Sequence, residues 1–140
     1  MLNAAPLVAV ADRRDPMRTR IEAILVGEPG ELIIPAPVSA EVDYLLGRRL
    51  GRVARLAFLD DLVAGRFTVA SLEADDYRVV ADFEHRYNDL DVGQADLSVV
   101  VVAERYGTRR LLTFDQRHFR ALRPLSSGQF TLLPADAPAP

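Results

Sequence analysis

The sequence contains no cysteine and, among its 17 basic residues, no lysine. The absence of cysteine excludes disulfide bonds and thiolate zinc sites. The chain has only two histidines, too few for a histidine-rich metal site, although one of them could still serve as a ligand. Because every basic residue is arginine, whose planar guanidinium suits phosphate recognition, the composition is compatible with a nucleic-acid substrate. A codon bias, which the abundance of alanine also indicates, explains the lack of lysine equally well.

Long apolar segments are missing as well. No apolar run approaches the ~20 residues that a membrane-spanning helix needs. The N-terminus also lacks the basic region followed by an apolar one that marks a signal peptide, so we expect a cytoplasmic protein with no membrane contact. A net charge of −3 excludes a bulk basic footprint for nucleic acid. The charges are nevertheless segregated, because residues 73–96 are mostly acidic and residues 105–123 are mostly basic.

The order of the predicted elements indicates an α/β fold. Short apolar strands alternate with amphipathic helices, which is typical of a mostly parallel central sheet with helices on both faces. The strands are predicted over residues 32–34, 67–70, 110–114 and 130–133. A length of 140 residues suits one domain with a single core. We expect that domain over residues 1–134, followed by a flexible Ala/Pro tail over residues 135–140.

Two segments require a choice of local structure. Pro6 can begin a helix, so any first strand before it would be very short. The run Leu97–Ala103 is rich in β-branched residues, which favour strands. We interpret it as a helix because the pattern continues from Asp96 to Tyr106, beyond ordinary strand length, before Gly107 ends it.

Three acidic residues occupy similar places relative to the predicted strands. Asp115 follows the strand at 110–114, Asp96 lies near the start of the long helix, and Glu41 lies on the helix after the strand at 32–34. Ligands of α/β sheets bind outside the carboxyl ends of the strands, so these acids can meet in one crevice. Converging carboxylates without cysteine predict a hard cation such as Mg²⁺. Taken singly, each acid could instead be a surface charge or stabilise a helix N-terminus by about 0.3–1 kcal/mol.

Three motifs carry a resemblance to a known family. They are Ser39-Ala-Glu41, Gly93-Gln-Ala-Asp96 and Leu112-Thr-Phe-Asp-Gln-Arg-His-Phe119. In this order and spacing they resemble a PIN-domain ribonuclease, in particular a VapC-type toxin of a type II toxin–antitoxin pair. The likeness extends over almost the whole chain. It implies a PIN-like three-layer sandwich, with a central, mostly parallel sheet flanked by helices.

The resemblance also implies a four-acid site. Glu41, Asp96 and Asp115 match three of its positions, and would hold Mg²⁺, or Mn²⁺ as the alternative, directly or through water. The family's first acid falls where this chain has Asn3, followed by two alanines instead of a small hydroxyl residue. Asn3 can offer a carbonyl oxygen but no charge, so metal binding should be weaker. An engineered change, a naturally degenerate site and a misplaced start of the reading frame are equally compatible with the sequence.

The implied activity is Mg²⁺-dependent endoribonucleolytic cleavage of tRNA, rRNA or mRNA, with Glu41, Asp96, Asp115 and the Asn3 position as catalytic residues. Arg117 and Arg120 are candidates for contact with the RNA backbone. His118 could donate to a phosphate, but capping or packing of a short helix is the commoner role of such a residue.

The implied partners are a VapB-like antitoxin and a second copy of the chain. Apolar positions at Leu45, Leu46, Leu56 and Leu59 could serve either contact, although burial in the core is the simpler use. The alternative function is a catalytically impaired PIN module that acts by binding RNA or antitoxin, which Asn3 favours. A phosphatase-like hydrolase using the same carboxylates is a third, weaker interpretation.

Overall fold

The structure of the chain is a computed structural model that describes residues 1–138. Helices and short strands alternate along these residues. In chain order they are α1 Ala4–Ala11, α2 Arg18–Gly27, β1 Ile33–Pro35, α3 Ala36–Arg49, α4 Arg52–Val63, β2 Thr68–Ala70, α5 Ala74–Arg86, α6 Gln94–Arg105, β3 Arg110–Leu112, α7 Gln116–Ala121 and β4 Thr131–Leu133. All four predicted strands are therefore present, each within one or two residues of its predicted bounds.

The sheet consists of two parallel pairs joined through Leu2. β1 pairs with β2, and β3 pairs with β4. Leu2 forms a parallel bridge with Leu112 of β3, and its amide donates to the carbonyl of Ile33 in β1 at 2.9 Å. The first strand, which we expected to be very short, is thus a single bridging residue at the centre of the sheet.

Helix α6 lies in the core. All seven residues of Leu97–Ala103 are buried, so the β-branched run is helical, as predicted. The helix packs against α3, α5 and β1, and these tertiary contacts override the weak helix propensity of its valines. No helix of residues 1–138 is long and apolar enough to cross a membrane.

The segment after β4 is tied to the fold through Asp136. Its carboxylate accepts hydrogen bonds from the backbone N–H of Leu132, at 2.7 Å, and from the guanidinium of Arg120, while its own N–H donates to the carbonyl of Leu132. Ala137 packs against the core. The domain boundary at residue 134 stays a prediction, but Asp136 is held in place rather than free. Residues 139–140 lie outside the described residues.

Leu2 offers a test of the sheet. Its side chain is 3% exposed, and truncation of a buried leucine costs about 2–5 kcal/mol. We expect Leu2→Ala to lower the free energy of unfolding by that amount in urea denaturation. Leu125→Ala is the matched control, because Leu125 is 43% exposed and its truncation should change stability by less than about 0.5 kcal/mol. Equal effects of the two substitutions would contradict a central position for Leu2.

Candidate metal centre

The predicted site residues gather at the carboxyl ends of the central strands. Asn3 directly follows the bridging residue Leu2, and Asp115 lies three residues beyond the end of β3. Asp96 lies in the first turn of α6, with Gly93 as the N-cap. Glu41 lies in the second turn of α3, which begins directly after β1. Parallel strands bring these positions to one edge of the sheet, as their sequence spacing predicts.

Asn3 is buried and uses both ends of its side-chain amide. Its Oδ1 accepts from the backbone N–H of Ala4 at 2.8 Å and so caps α1. Its Nδ2 donates to Oδ1 of Asp96 at 3.0 Å and to Oγ1 of Thr113 at 3.3 Å. The orientation of the amide follows from this network, because a backbone N–H lies on one side and a carboxylate on the other. Asn3 therefore turns a hydrogen-bond donor, not an oxygen, toward the acids.

Asp96 does not cap its own helix. No side chain caps the N-terminus of α6 in the structure, and the Asp96 carboxylate is instead bonded to Asn3. Partial burial raises the pKa of Asp96, the hydrogen bond from Asn3 opposes this change, and the charge of Asp115 adds to it. Asp96 still lies in the first turn of α6, where a negative charge stabilises the helix N-terminus, but its side-chain hydrogen bond is to Asn3 and not to its own helix.

Asp115 and His118 form a close pair. Asp115 caps α7 through the backbone N–H of His118, at 3.0 Å, and its Oδ2 lies 2.6 Å from Nδ1 of the His118 ring. The other ring nitrogen, Nε2, lies 2.7 Å from the backbone carbonyl of Leu90. Both partners can only accept hydrogen bonds, so the doubly protonated imidazolium satisfies both contacts and a neutral ring satisfies only one. The hydrogen bond with Asp115 accordingly raises the pKa of His118 above 6.5.

Thr113 is a site residue that the sequence interpretation missed. Its side chain is 1% exposed, and its Oγ1 accepts from Nδ2 of Asn3 and, at 3.0 Å, from the backbone N–H of Asp115. One hydroxyl thus connects the N-terminal segment with the loop that carries Asp115. The available signal was a polar residue within an apolar strand, two positions before an acid.

Glu41 borders the cluster without joining its centre. A carboxylate oxygen of Asp96, a carboxylate oxygen of Asp115 and a ring nitrogen of His118 lie within 4.8 Å of one another, but both ring nitrogens of His118 already contact acceptors. Glu41 is not part of this group, but partial burial and the charge of Asp96 raise its pKa. Its assignment as a ligand therefore stays a prediction.

The two arginines proposed for RNA contact differ in their surroundings. Arg120 forms an ion pair with Asp136, with one nitrogen–oxygen distance of 3.0 Å. Arg117 is exposed on α7, and no carboxylate within residues 1–138 forms a salt bridge with it. Arg117 is therefore the better placed of the two to bind an external phosphate.

Comparison with known proteins identifies the family. The model of the PIN domain family matches residues 2–123 of the chain. The chain belongs to the PIN domain family. Within it, the sequence is 36% identical over 134 residues to ribonuclease VapC26 of Mycobacterium tuberculosis (strain ATCC 25618 / H37Rv), which covers 96% of this chain and 99% of that protein. This similarity over nearly the full length makes the chain a VapC-type PIN domain, as its motifs predict.

A solved structure supports the same fold. The crystal structure of Mycobacterium tuberculosis VapC20, described as a toxin that cleaves the sarcin–ricin loop, matches this PIN domain with a TM-score of 0.77. The match covers 83% of this chain and 89% of VapC20 at 18% identity, so it is evidence for the fold alone. The predicted PIN-like α/β fold with a parallel central sheet is thereby confirmed.

The chemistry of this cluster fits a hard divalent cation. Asp96 and Asp115 present carboxylate oxygens, the donors that Mg²⁺ and Mn²⁺ prefer. Burial first, and neighbouring negative charge second, raise the pKa of Asp96 and Glu41, and a cation would offset both effects. The Asn3 position differs, since its Nδ2 cannot bind a cation and its Oδ1 already caps α1. The donor set is therefore poorer by one charge than a site with an acid there.

The His118–Asp115 pair predicts a pH dependence. In an NMR titration, the imidazole of His118 should titrate with a pKa above 6.5, and Asp115→Asn should lower that pKa by removing the carboxylate charge. Because the folded-state pKa is raised, the stabilisation from this pair is complete below about pH 6.5 and disappears as the pH rises through the folded-state value. The variant His85→Gln leaves one imidazole signal and so assigns it. An unchanged pKa in Asp115→Asn would contradict the pairing.

Proposed function

We propose that this VapC-type PIN domain is a Mg²⁺-dependent endoribonuclease toxin that an antitoxin inhibits. The observation that carries the proposal is the convergence of Asp96 and Asp115 at the carboxyl ends of parallel strands, with Glu41 beside them. The name of its relative VapC26 as a ribonuclease supports RNA as the substrate. The carboxylates support a divalent metal, and Mn²⁺ could replace Mg²⁺ on the same oxygens.

Different residues of the chain would have different roles in phosphodiester cleavage. Asp96 and Asp115 would hold the metal, with Glu41 contributing directly or through water. When bound, the metal supplies a nucleophilic water near neutral pH and charge relief on the phosphate. Asn3 fixes the carboxylate of Asp96, and His118 fixes that of Asp115. These hydrogen bonds orient the acids before a substrate arrives, which reduces reorganisation during the reaction.

An apolar surface on α4 supports binding to another protein chain. Leu46 is buried, as the core interpretation predicts, but Leu56 and Leu59 are 46% and 42% exposed. Val53 and Val63 on the same helix are 83% and 88% exposed. A contiguous exposed apolar surface marks an interaction site more often than a solvated one. We propose that this surface contacts the antitoxin or a second copy of the chain.

The catalytically impaired module is the second candidate, because Asn3 lacks the charge of the expected acid. An impaired module would keep the fold and the partner surface but would cleave RNA weakly or not at all. The two candidates differ in one measurement, which is RNA cleavage by the unchanged sequence in Mg²⁺.

Substitution of the acids tests the activity. We expect the chain to cleave RNA in Mg²⁺ and to stop in EDTA. Asp96→Asn and Asp115→Asn should each reduce the cleavage rate by about 100-fold or more, since changes to the outer-shell partners of a metal alone cost 10–100-fold. Gel-based cleavage of total RNA under single-turnover conditions measures both effects.

The matched control is Asp60→Asn, on the exposed side of α4, which makes the same change of charge outside the cluster and should leave the rate unchanged. Cleavage that persists in EDTA would eliminate the metal-dependent mechanism. No cleavage by the unchanged sequence, with cleavage by Asn3→Asp, would favour the impaired module.

Substitution of Arg117 tests its proposed contact with the RNA backbone. We expect Arg117→Gln to weaken RNA binding and to reduce the slope of log K against log salt by about 0.7, the value for one phosphate contact on a single strand. Arg120→Gln should change the slope less, because Asp136 already neutralises Arg120. Fluorescence anisotropy with the cleavage-deficient Asp96→Asn protein measures both slopes. A larger effect at Arg120 than at Arg117 would contradict this assignment.

A further inference from the structure

Asn3 combines two roles that can be separated. Its Oδ1 caps α1, and its Nδ2 donates to Asp96 and Thr113. Aspartate caps helices as well as asparagine does, so an Asn3→Asp change preserves the cap. It removes only the N–H donor and places an oxygen opposite the carboxylate of Asp96.

Asparagine and aspartate at position 3 should differ strongly in their effect on stability, because the position is buried. Asn3 is 7% exposed, and Asp96 is partly buried. A hydrogen bond to a carboxylate is stronger than one between neutral groups, whereas two carboxylates in the same surroundings repel each other. With asparagine, Asp96 has a bonded partner within the chain. With aspartate, the pair would need a cation to offset its charge.

The N–H donor also occupies part of the site. Oδ1 of Asp96 is 3.0 Å from Nδ2 of Asn3, which is the oxygen that faces the N-terminal segment. Thr113 holds the same amide from the other side, so the amide cannot turn away without losing two hydrogen bonds and the cap. The contact between Asn3 and Asp96 is therefore a fixed part of the folded protein.

We propose that Asn3 is a positioning residue that takes the place of a cation beside Asp96, so that the folded protein is stable without metal and its stability responds little to Mg²⁺. This inference rests on the proposed function only for the location of the metal. The amide of Asn3 therefore lowers the affinity for metal and raises the stability of the metal-free protein.

Thermal unfolding of three proteins tests the proposal. In EDTA, Asn3→Asp should unfold roughly 5 °C or more below the unchanged chain, because it loses a charge-assisted hydrogen bond and gains a repulsion. Millimolar Mg²⁺ should recover most of that loss in Asn3→Asp but should shift the unchanged chain by no more than about 1 °C. The double variant Asn3→Asp with Asp96→Asn exchanges donor and acceptor, and should recover stability in EDTA without Mg²⁺.

Asn88→Asp is the matched control, since it adds the same charge at an exposed turn; its melting temperature should match that of the unchanged chain and should not respond to Mg²⁺. Isothermal titration calorimetry with MgCl₂ adds a direct measurement, in which Asn3→Asp should bind at least about 10-fold more tightly than the unchanged chain.

Three results would overturn the proposal. They are equal melting temperatures of Asn3→Asp and the unchanged chain in EDTA, no recovery of Asn3→Asp in Mg²⁺, and no recovery in the double variant. Failure of the proposed function is a separate result, because it is measured as the absence of EDTA-sensitive RNA cleavage by the unchanged chain. If the unchanged chain does not cleave RNA, the melting temperatures still test the role of Asn3. If the melting temperatures contradict that role, the cleavage assay still tests the proposed function.

Discussion

Three backbone hydrogen bonds at the N-terminus hold the sheet together. The amide of Leu2 donates to Ile33, the amide of Asn3 donates to Leu112, and the carbonyl of Met1 accepts from Leu112, all at 2.9–3.0 Å. They connect two strand pairs that share no direct ladder. These bonds fix the backbone of Asn3, and its side chain consequently lies between Asp96 and Thr113. The geometry of the candidate metal centre therefore depends on the register in which residues 1–3 pair with β1 and β3.

The electrostatics of the centre follow from that geometry. Two acids, Asp96 and Glu41, have raised pKa values because burial and neighbouring negative charge disfavour ionisation. A third acid, Asp115, lies against the ring of His118, whose other nitrogen contacts the carbonyl of Leu90, and the hydrogen bond with Asp115 raises the pKa of His118. Through one amide and one histidine, the chain thus supplies hydrogen bonds to the two carboxylates that a cation would otherwise stabilise. The remaining negative charge is what would attract a metal to this edge of the sheet.

Much of the fold was predictable from local pattern, and much of the site was not. The helical assignment of Leu97–Ala103 followed from the length of the pattern, and the acids at the strand ends followed from the rule for parallel sheets. The contact between Asn3 and Thr113 joins residues 110 positions apart. A periodic sequence pattern predicts the face on which a residue lies but not the direction in which its side-chain amide points. The sequence also left open whether Leu56 and Leu59 are exposed, since spacing defines an apolar face but not whether the chain itself covers it.

The position of Leu2 also constrains when the protein can fold during synthesis. Leu2 is translated before the strand it bridges, because Leu112 follows it by more than a hundred residues. At about 5–20 residues per second, the N-terminal segment must wait at least several seconds on the ribosome for its pairing with Leu112. The acids from the two halves of the chain cannot meet during that interval. A nascent chain would therefore lack an assembled centre until the loop that carries Asp115 has been translated.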